Sequence, residues 1–230
     1  LVFEALHGTR LFAACASALS VGFLLLADSV PIFDAAIDPL APVLRDNFWL
    51  SSHVLTITLG YAALLLALAL GHVTLGMLLL GRGEARVRTV SGFTYRSMQA
   101  GTLLLAVGTL LGGVWASYSW GRFWGWDPKE TWALIALLVY LAILHARFAG
   151  WMSDLGLAVG SIVGGLSVLM AWYGVNYVLG TGLHSYGFGT GGGTPWVTAY
   201  VALELVLVAV AAWRVRAPRL DAPALVATTR

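Results

Sequence analysis

The chain has 230 residues, of which 59% are hydrophobic and only 10% are charged, whereas soluble domains carry roughly 25% charged residues. This composition excludes a water-soluble globule, and the net charge of +2 is too small to indicate a nucleic acid partner. Segments 61–70 and 133–144 are apolar on all sides. They exclude a transmembrane β-barrel, whose strands alternate polar and apolar residues.

The sequence predicts an all-α polytopic membrane protein, a bundle of about six transmembrane helices. Apolar runs of about 20 residues, the length that crosses a ~30 Å hydrocarbon core, recur along the whole chain. A single transmembrane domain would then occupy 1–230, with a tail at about 214–230. Whether the sequence, which begins at Leu1, is complete or a fragment stays open. The predicted spans are about 11–28, 53–80, 98–117, 131–149, 156–178 and 196–213.

Basic residues predict the orientation of this bundle. Ten of the 13 Lys and Arg residues fall on the side of the two termini, and loops rich in Lys and Arg face the cytoplasm. Both termini are therefore predicted to be cytoplasmic. Three loops, at about 29–52, 118–130 and 179–195, are predicted to face outward.

The second outward loop is rich in tryptophan. Its sequence, WGRFWGWDPKETW, begins at Trp120 and contains Trp124, Trp126 and Trp132. Tryptophan is common where helices meet lipid headgroups, but this spacing around glycines favours a flat apolar surface that stacks against a large planar ligand. Asp127, Pro128 and Glu130 also match a capping box at the start of the next helix.

Histidines supply the second functional pattern. His53 and His184 fall on the same predicted side as the tryptophan loop, and neutral imidazoles from two facing segments can bind a porphyrin iron at both axial positions. Hydrogen bonding to solvent at the interface is the alternative. Cys15 is the only cysteine, so a metal site would use histidine or carboxylate ligands.

Three further ionisable residues are predicted inside the membrane. His72, His145 and Glu204 lie within apolar spans, where an ionisable side chain indicates function by default. Hydrogen bonds near the inner interface, for the histidines, and between packed helices, for Glu204, are the alternatives.

The string WGRFWGWDPKETWALI resembles the tryptophan-rich signature of the CcsA (ResC) cytochrome c biogenesis proteins, members of a heme-handling superfamily that also contains CcmC and CcmF. The segments SSHVLTITLGYAA, ILHAR and VNYVLGTGLHSYGFG resemble the same family. The resemblance implies a bacterial cytoplasmic (inner) membrane protein with its heme-presenting loops on the periplasmic side.

The resemblance also implies the site. Heme b would be the transported or attached substrate, and a CcsB (ResB)-like membrane protein would be the partner. His145 would bind iron at an earlier, inner position, whose second ligand the family usually takes from that partner. His72 is an alternative second ligand that no family motif requires. The residues implied to bind heme are His53 and His184 as axial metal ligands, with Trp120, Trp124, Trp126 and Asp127 contacting the macrocycle.

The implied reaction adds two thiols of an apocytochrome c Cys-x-x-Cys-His segment across the heme vinyl groups, with no catalytic residue from this chain. The chain would be part of a cytochrome c heme lyase (synthase) complex, and whether it is itself an enzyme stays open. One alternative is CcmC-like delivery to a heme chaperone. Others are a membrane electron carrier with heme between His72 and His145, and a heme-free transporter or structural subunit with Glu204 as its coupling residue.

Overall fold

The computed structural model of the chain describes residues 2–29, 44, 48–184 and 193–216. Most of the predicted loop at 29–52, residues 185–192 of the third loop and the tail beyond 216 lie outside these ranges. Within them every regular element is helical and no strand occurs. The elements are α1 (Val2–His7), α2 (Leu11–Ser29), α3 (Phe48–Leu79), α4 (Glu84–Trp120), α5 (Pro128–Phe148), α6 (Asp154–Leu169), a π-helical segment (Met170–Leu179) and α7 (Thr194–Arg216).

Five helices in the described ranges are long and apolar enough to cross a membrane. They are α3, α4, α5, α6 together with the π segment, and α7; the apolar stretch Leu11–Leu25 of α2 is shorter. The prediction of an all-α polytopic membrane protein is confirmed. The side on which each loop lies remains a prediction.

Helix α4 is much longer than its predicted span. Its 37 residues make a rod of about 55 Å, so its first turns, which carry Arg86, Arg88 and Arg96, extend past a ~30 Å hydrocarbon core. Hydropathy marks where a helix meets lipid, whereas the backbone hydrogen bonds continue beyond that point. The structure therefore begins the helix at Glu84 rather than near residue 98.

Helices α3 and α4 pack closely because glycines occupy their contact. A Cβ on Gly60 would lie 3.0 Å from the backbone nitrogen of Leu105, and one on Gly101 would lie 2.6 Å from the Leu64 side chain. Small residues let helices approach in a membrane, where lipid supplies no hydrophobic drive for association. Around this contact the core contains Leu64, Ala67, Met98, Leu105, Ala136, Tyr140, Ile143, Leu157 and Val168.

The predicted span at 156–178 is not a uniform α-helix. The Ser153 side chain caps α6 by accepting from the Gly156 N–H at 3.2 Å. From Met170 the chain continues as a π-helix and ends at Gly180, whose φ of 56° is left-handed. π-Helical turns are rare overall, but those that occur are often found at functional sites. The hydrophobic pattern of the sequence did not predict this one.

Glycine packing between α3 and α4 is testable with one pair of variants. Gly60→Ala places a methyl group against the Leu105 backbone, which cannot rotate away, so we expect a loss of about 1–3 kcal/mol of stability. Gly76→Ala in the same helix meets nothing within 4 Å and should be neutral or slightly stabilising. Thermal unfolding in detergent compares the two, and equal unfolding temperatures would contradict this account of the contact.

Candidate functional site

A cavity of about 360 Å³ lies between α3, α4, α5 and the π segment, beside the tryptophan loop. This volume is within the ~300–1,000 Å³ range of small-molecule sites. Apolar and aromatic side chains form most of its wall. The lining residues are Leu44, Leu50, His53, Val54, Ile57, Thr58, Tyr61, Thr109, Gly112, Gly113, Trp115, Phe123, Trp124, Lys129, Glu130, Ala133, Trp172 and His184.

His53 projects from the second turn of α3 into this cavity. Its Nδ1 is 2.7 Å from the carbonyl oxygen of Gly108 in α4. Because a carbonyl oxygen only accepts, Nδ1 carries the proton and the lone pair is on Nε2. Gly112 makes room for the ring, since a Cβ there would lie 2.8 Å from His53 Cε1. The helix contact thus fixes both the position and the tautomer of this imidazole.

His184 reaches the same cavity from the segment after the π-helix. Its Nδ1 donates to Asp127 Oδ1 at 2.9 Å, and the neighbouring Leu183 N–H donates to Asp127 Oδ2 at 2.6 Å. Gly182 has a left-handed φ of 95° and lies so close to the Asp127 carboxylate that a Cβ would collide with it. Asp127 therefore holds this imidazole with its lone pair on Nε2, the arrangement found in carboxylate–histidine–metal sites.

The environment sets the charge of both partners in this hydrogen bond. Burial lowers the pKa of His184 below its ordinary value, outweighing the opposite effect of the Asp127 hydrogen bond and of the Asp127 and Glu130 charges. Burial alone would raise the pKa of Asp127, but hydrogen bonds from Lys129 N–H, His184 and Leu183 N–H lower it. His184 is thus neutral at pH 7, the state in which imidazole binds metals.

The predicted capping box at the start of α5 is confirmed. Asp127 is the N-cap and accepts from the Lys129 N–H at 2.9 Å, while Glu130 Oε2 accepts from the Asp127 N–H at 3.2 Å. Glu130 also accepts from the Gly125 N–H at 2.7 Å and from Arg122 Nη1 at 3.0 Å. One buried carboxylate therefore binds the loop at three points.

The tryptophans of the loop do not form one flat surface. Trp124 lines the cavity, whereas Trp126 is 69% exposed and stands at 89° to Trp124, with ring centroids 5.8 Å apart. Trp126 has a φ of 57°, a left-handed conformation that is an outlier for a bulky residue. Trp120 packs edge-on against His184 at 4.8 Å, so it supports an imidazole.

His145 lies apart from this cavity, on α5 near its far end. Its Nδ1 donates to the Leu141 carbonyl at 2.7 Å. The lone pair is then on Nε2, which has no partner among the residues that the structure describes. The side chain is exposed on the surface of the bundle.

His72 and Glu204 instead bind each other across α3 and α7, with Nε2 2.8 Å from Glu204 Oε2. His72 Nδ1 is 2.9 Å from the Leu68 carbonyl, so both ring nitrogens are engaged within the protein. A heme between His72 and His145, which the electron-carrier alternative needs, would require breaking the Glu204 contact.

Several cavity residues were not singled out from the sequence as ligand contacts. Tyr61 and Trp172 sit inside apolar spans, where an aromatic residue carries no signal of its own. Phe123 and Lys129 lie within the tryptophan string, and Lys129 could have been found because it is the chain's only lysine.

Comparisons with known proteins identify the family of this chain. A family model described as cytochrome c assembly protein matches residues 4–184. The chain belongs to the cytochrome c assembly protein family. The matched range contains every residue that lines the cavity, and it ends before α7.

Individual relatives place this assembly protein within the CcsA type. NrfI of Wolinella succinogenes is 39% identical over 185 residues, which are 78% of this chain and 20% of NrfI. The cytochrome c biogenesis protein CcsA of a Synechococcus species is 36% identical over 223 residues, 82% of this chain and 71% of that protein. CcsA of Chlamydomonas reinhardtii is 38% identical over 156 residues, 65% of this chain and 43% of that protein.

Removal of one charge tests how this assembly protein fixes its loop. Glu130→Gln breaks the Arg122 ion pair and weakens the acceptor for three donors, at a cost of about 1–3 kcal/mol. We expect faster amide hydrogen exchange over 121–127 and a lower unfolding temperature. Glu84→Gln is the matched control, because Glu84 is 95% exposed and 4.0 Å from Arg88. Equal exchange in both variants would contradict the role given to Glu130.

Proposed function

We propose that this cytochrome c assembly protein binds heme as its substrate in the cavity, with His53 and His184 as axial ligands, and presents it for attachment to apocytochrome c. One observation carries the proposal: two histidines far apart in the sequence line one cavity. Each has its Nδ1 proton donated to a fixed acceptor. Histidines that bind a metal through one ring nitrogen usually donate the other N–H to such an acceptor.

The rest of the cavity suits a planar, largely apolar ligand. Tyr61, Phe123, Trp124 and Trp172 supply ring surfaces, and aromatic rings pack well against a macrocycle. Asp127 is a positioning residue that acts through His184. Trp120 supports the same imidazole from its edge, and exposed Trp126 extends the contact surface outside the cavity.

The reaction needs no nucleophile from this chain. Each cysteine thiol of the apocytochrome Cys-x-x-Cys-His segment adds across one vinyl group, so that sulfur bonds to one vinyl carbon and the thiol hydrogen goes to the other. The protein contributes by holding heme in one orientation. The histidine of the apocytochrome segment then displaces one axial ligand, so ligation by His53 or His184 is exchangeable.

An inner heme position uses His145 before the external one is filled. Its imidazole lies on the bundle surface with the lone pair on Nε2. A ligand from another chain can therefore complete the coordination. A CcsB (ResB)-like membrane protein supplies that ligand and forms the heme lyase complex with this chain. The complex lies in the bacterial cytoplasmic membrane, with the cavity facing the periplasm.

Substitution of the axial ligands tests the external site. His53→Ala and His184→Ala should each lose most of the heme that purifies with the protein and most of the holocytochrome c made in cells. Added imidazole should restore part of both, because it fills the vacated coordination position. His7→Ala is the control, since His7 contacts Phe93 and Arg96 at the other end of α4.

Wild-type heme content and wild-type holocytochrome c in both variants would show that these histidines are not the ligands. A loss that imidazole does not restore would indicate a structural role instead.

The inner position is tested by comparing heme made in the cell with heme added afterwards. His145→Ala should purify with little heme, since heme supplied inside the cell no longer reaches the cavity. The same purified variant should bind added heme with wild-type affinity, whereas His53→Ala should not. Absorption spectra in the Soret region measure both. A His145→Ala protein that purifies with full heme would contradict the inner position.

A further inference from the structure

The chain has a single lysine, against 12 arginines, and that lysine lines the cavity. Lys129 lies in the first turn of α5 and is half-buried. Its ammonium group donates to the Asn176 side-chain oxygen at 3.2 Å. It forms no ion pair with any residue that the structure describes. The ammonium lies close enough to His53 and His184 for its charge to act on both imidazoles.

Helix stability does not explain a cation at this position. The N-terminus of a helix has a positive partial charge, so a lysine in the first turn is disfavoured by about 0.3–1 kcal/mol. The neighbouring carboxylates already have other hydrogen-bond donors and do not require Lys129 as a direct partner. Glu130 pairs with Arg122, and Asp127, although within electrostatic reach of Lys129, accepts from His184 and two backbone N–H groups.

Lys129 therefore places an ammonium group without a carboxylate partner among the described residues at one wall of a mostly apolar cavity, whereas Glu130, which lines the same cavity, is paired with Arg122. An ammonium group in such surroundings favours an anionic partner, and a carboxylate is held there by charge-assisted hydrogen bonds. Asn176 occupies one of its three donor positions. The arrangement fits a ligand that is planar and apolar over most of its surface and has carboxylate groups at one edge.

We infer that Lys129 binds a carboxylate of the ligand and so fixes its orientation in the plane of the ring. The inference rests on the proposed function, because heme carries its two propionates on one edge and its vinyl groups elsewhere. Axial ligands hold the iron but leave rotation about the axis through it. With a propionate bound to Lys129, the propionate edge faces α5 and the vinyl groups are directed away from it.

The test compares two porphyrins that differ only in their carboxylates. Iron protoporphyrin IX and its dimethyl ester are titrated into the purified full chain and followed by Soret absorption. We expect the wild type to prefer the diacid by about 10- to 100-fold, the range of a charge-assisted hydrogen bond. Lys129→Met keeps most of the length of the side chain and the backbone N–H at position 129 that donates to Asp127. This variant should lose the preference for the diacid and bind the ester as the wild type does.

Two further variants separate the specific contact from net charge. Arg88→Gln, at the other end of α4 where the side chain is 75% exposed, also removes one positive charge and should keep the full preference for the diacid. Lys129→Arg keeps a cation at the site and should retain most of it. A Lys129→Met protein with the wild-type preference would overturn the inference.

A second measurement needs no variant. Because the chain has one lysine, an amine-reactive reagent followed by peptide mass spectrometry reports on Lys129 alone among side chains. The diacid should protect Lys129 from labelling, and the ester at equal occupancy should not. Equal labelling with both ligands would overturn the role of Lys129 while leaving heme binding intact. A wild-type chain that binds neither porphyrin would instead overturn the proposed function.

Discussion

Two buried carboxylates, one at the N-cap and one in the first turn of α5, fix the segments that surround the cavity. Asp127 and Glu130 each accept from three groups, and between them they fix the tryptophan loop, the start of the helix and the segment that carries His184. A buried carboxylate without donors costs several kcal/mol, so any movement of these segments is opposed by that penalty. The orientation of the His184 imidazole is thus a consequence of the hydrogen bonds that the two buried carboxylates require.

Close approach of α3 and α4 supplies the other half of the cavity. Gly112 makes room for the His53 ring against α4, and Gly108 lets the backbone at Ile57 approach the same helix. The Gly108 carbonyl accepts the Nδ1 proton of His53. The same contact that stabilises the bundle therefore selects the tautomer of His53, the proposed axial ligand. Rigid helices hold such a ligand more precisely than loops do, which suits a protein whose proposed role is to position a substrate.

Local sequence predicted the parts of the site that depend on neighbours along the chain. The capping box of Asp127, Pro128 and Glu130 follows from spacing alone, because its hydrogen bonds join residues within one turn. Hydropathy predicted the membrane helices but placed the start of α4 about four turns late. Spacing also predicted a flat tryptophan surface, whereas the structure has Trp124 and Trp126 nearly perpendicular. Trp126 has a left-handed backbone and an exposed side chain, and neither follows from spacing.

The sequence by itself determined that this is a polytopic helical membrane protein with a tryptophan loop capped onto a helix, because apolar length and cap residues act over short distances. Its family resemblance also predicted His53 and His184 as axial ligands, which stays a prediction. Only the tertiary structure decided that His53 and His184 share one cavity, that His72 is engaged by Glu204, and that the single lysine lines that cavity. Those facts depend on helix packing, in which a shift of one residue turns a side chain by about 100°.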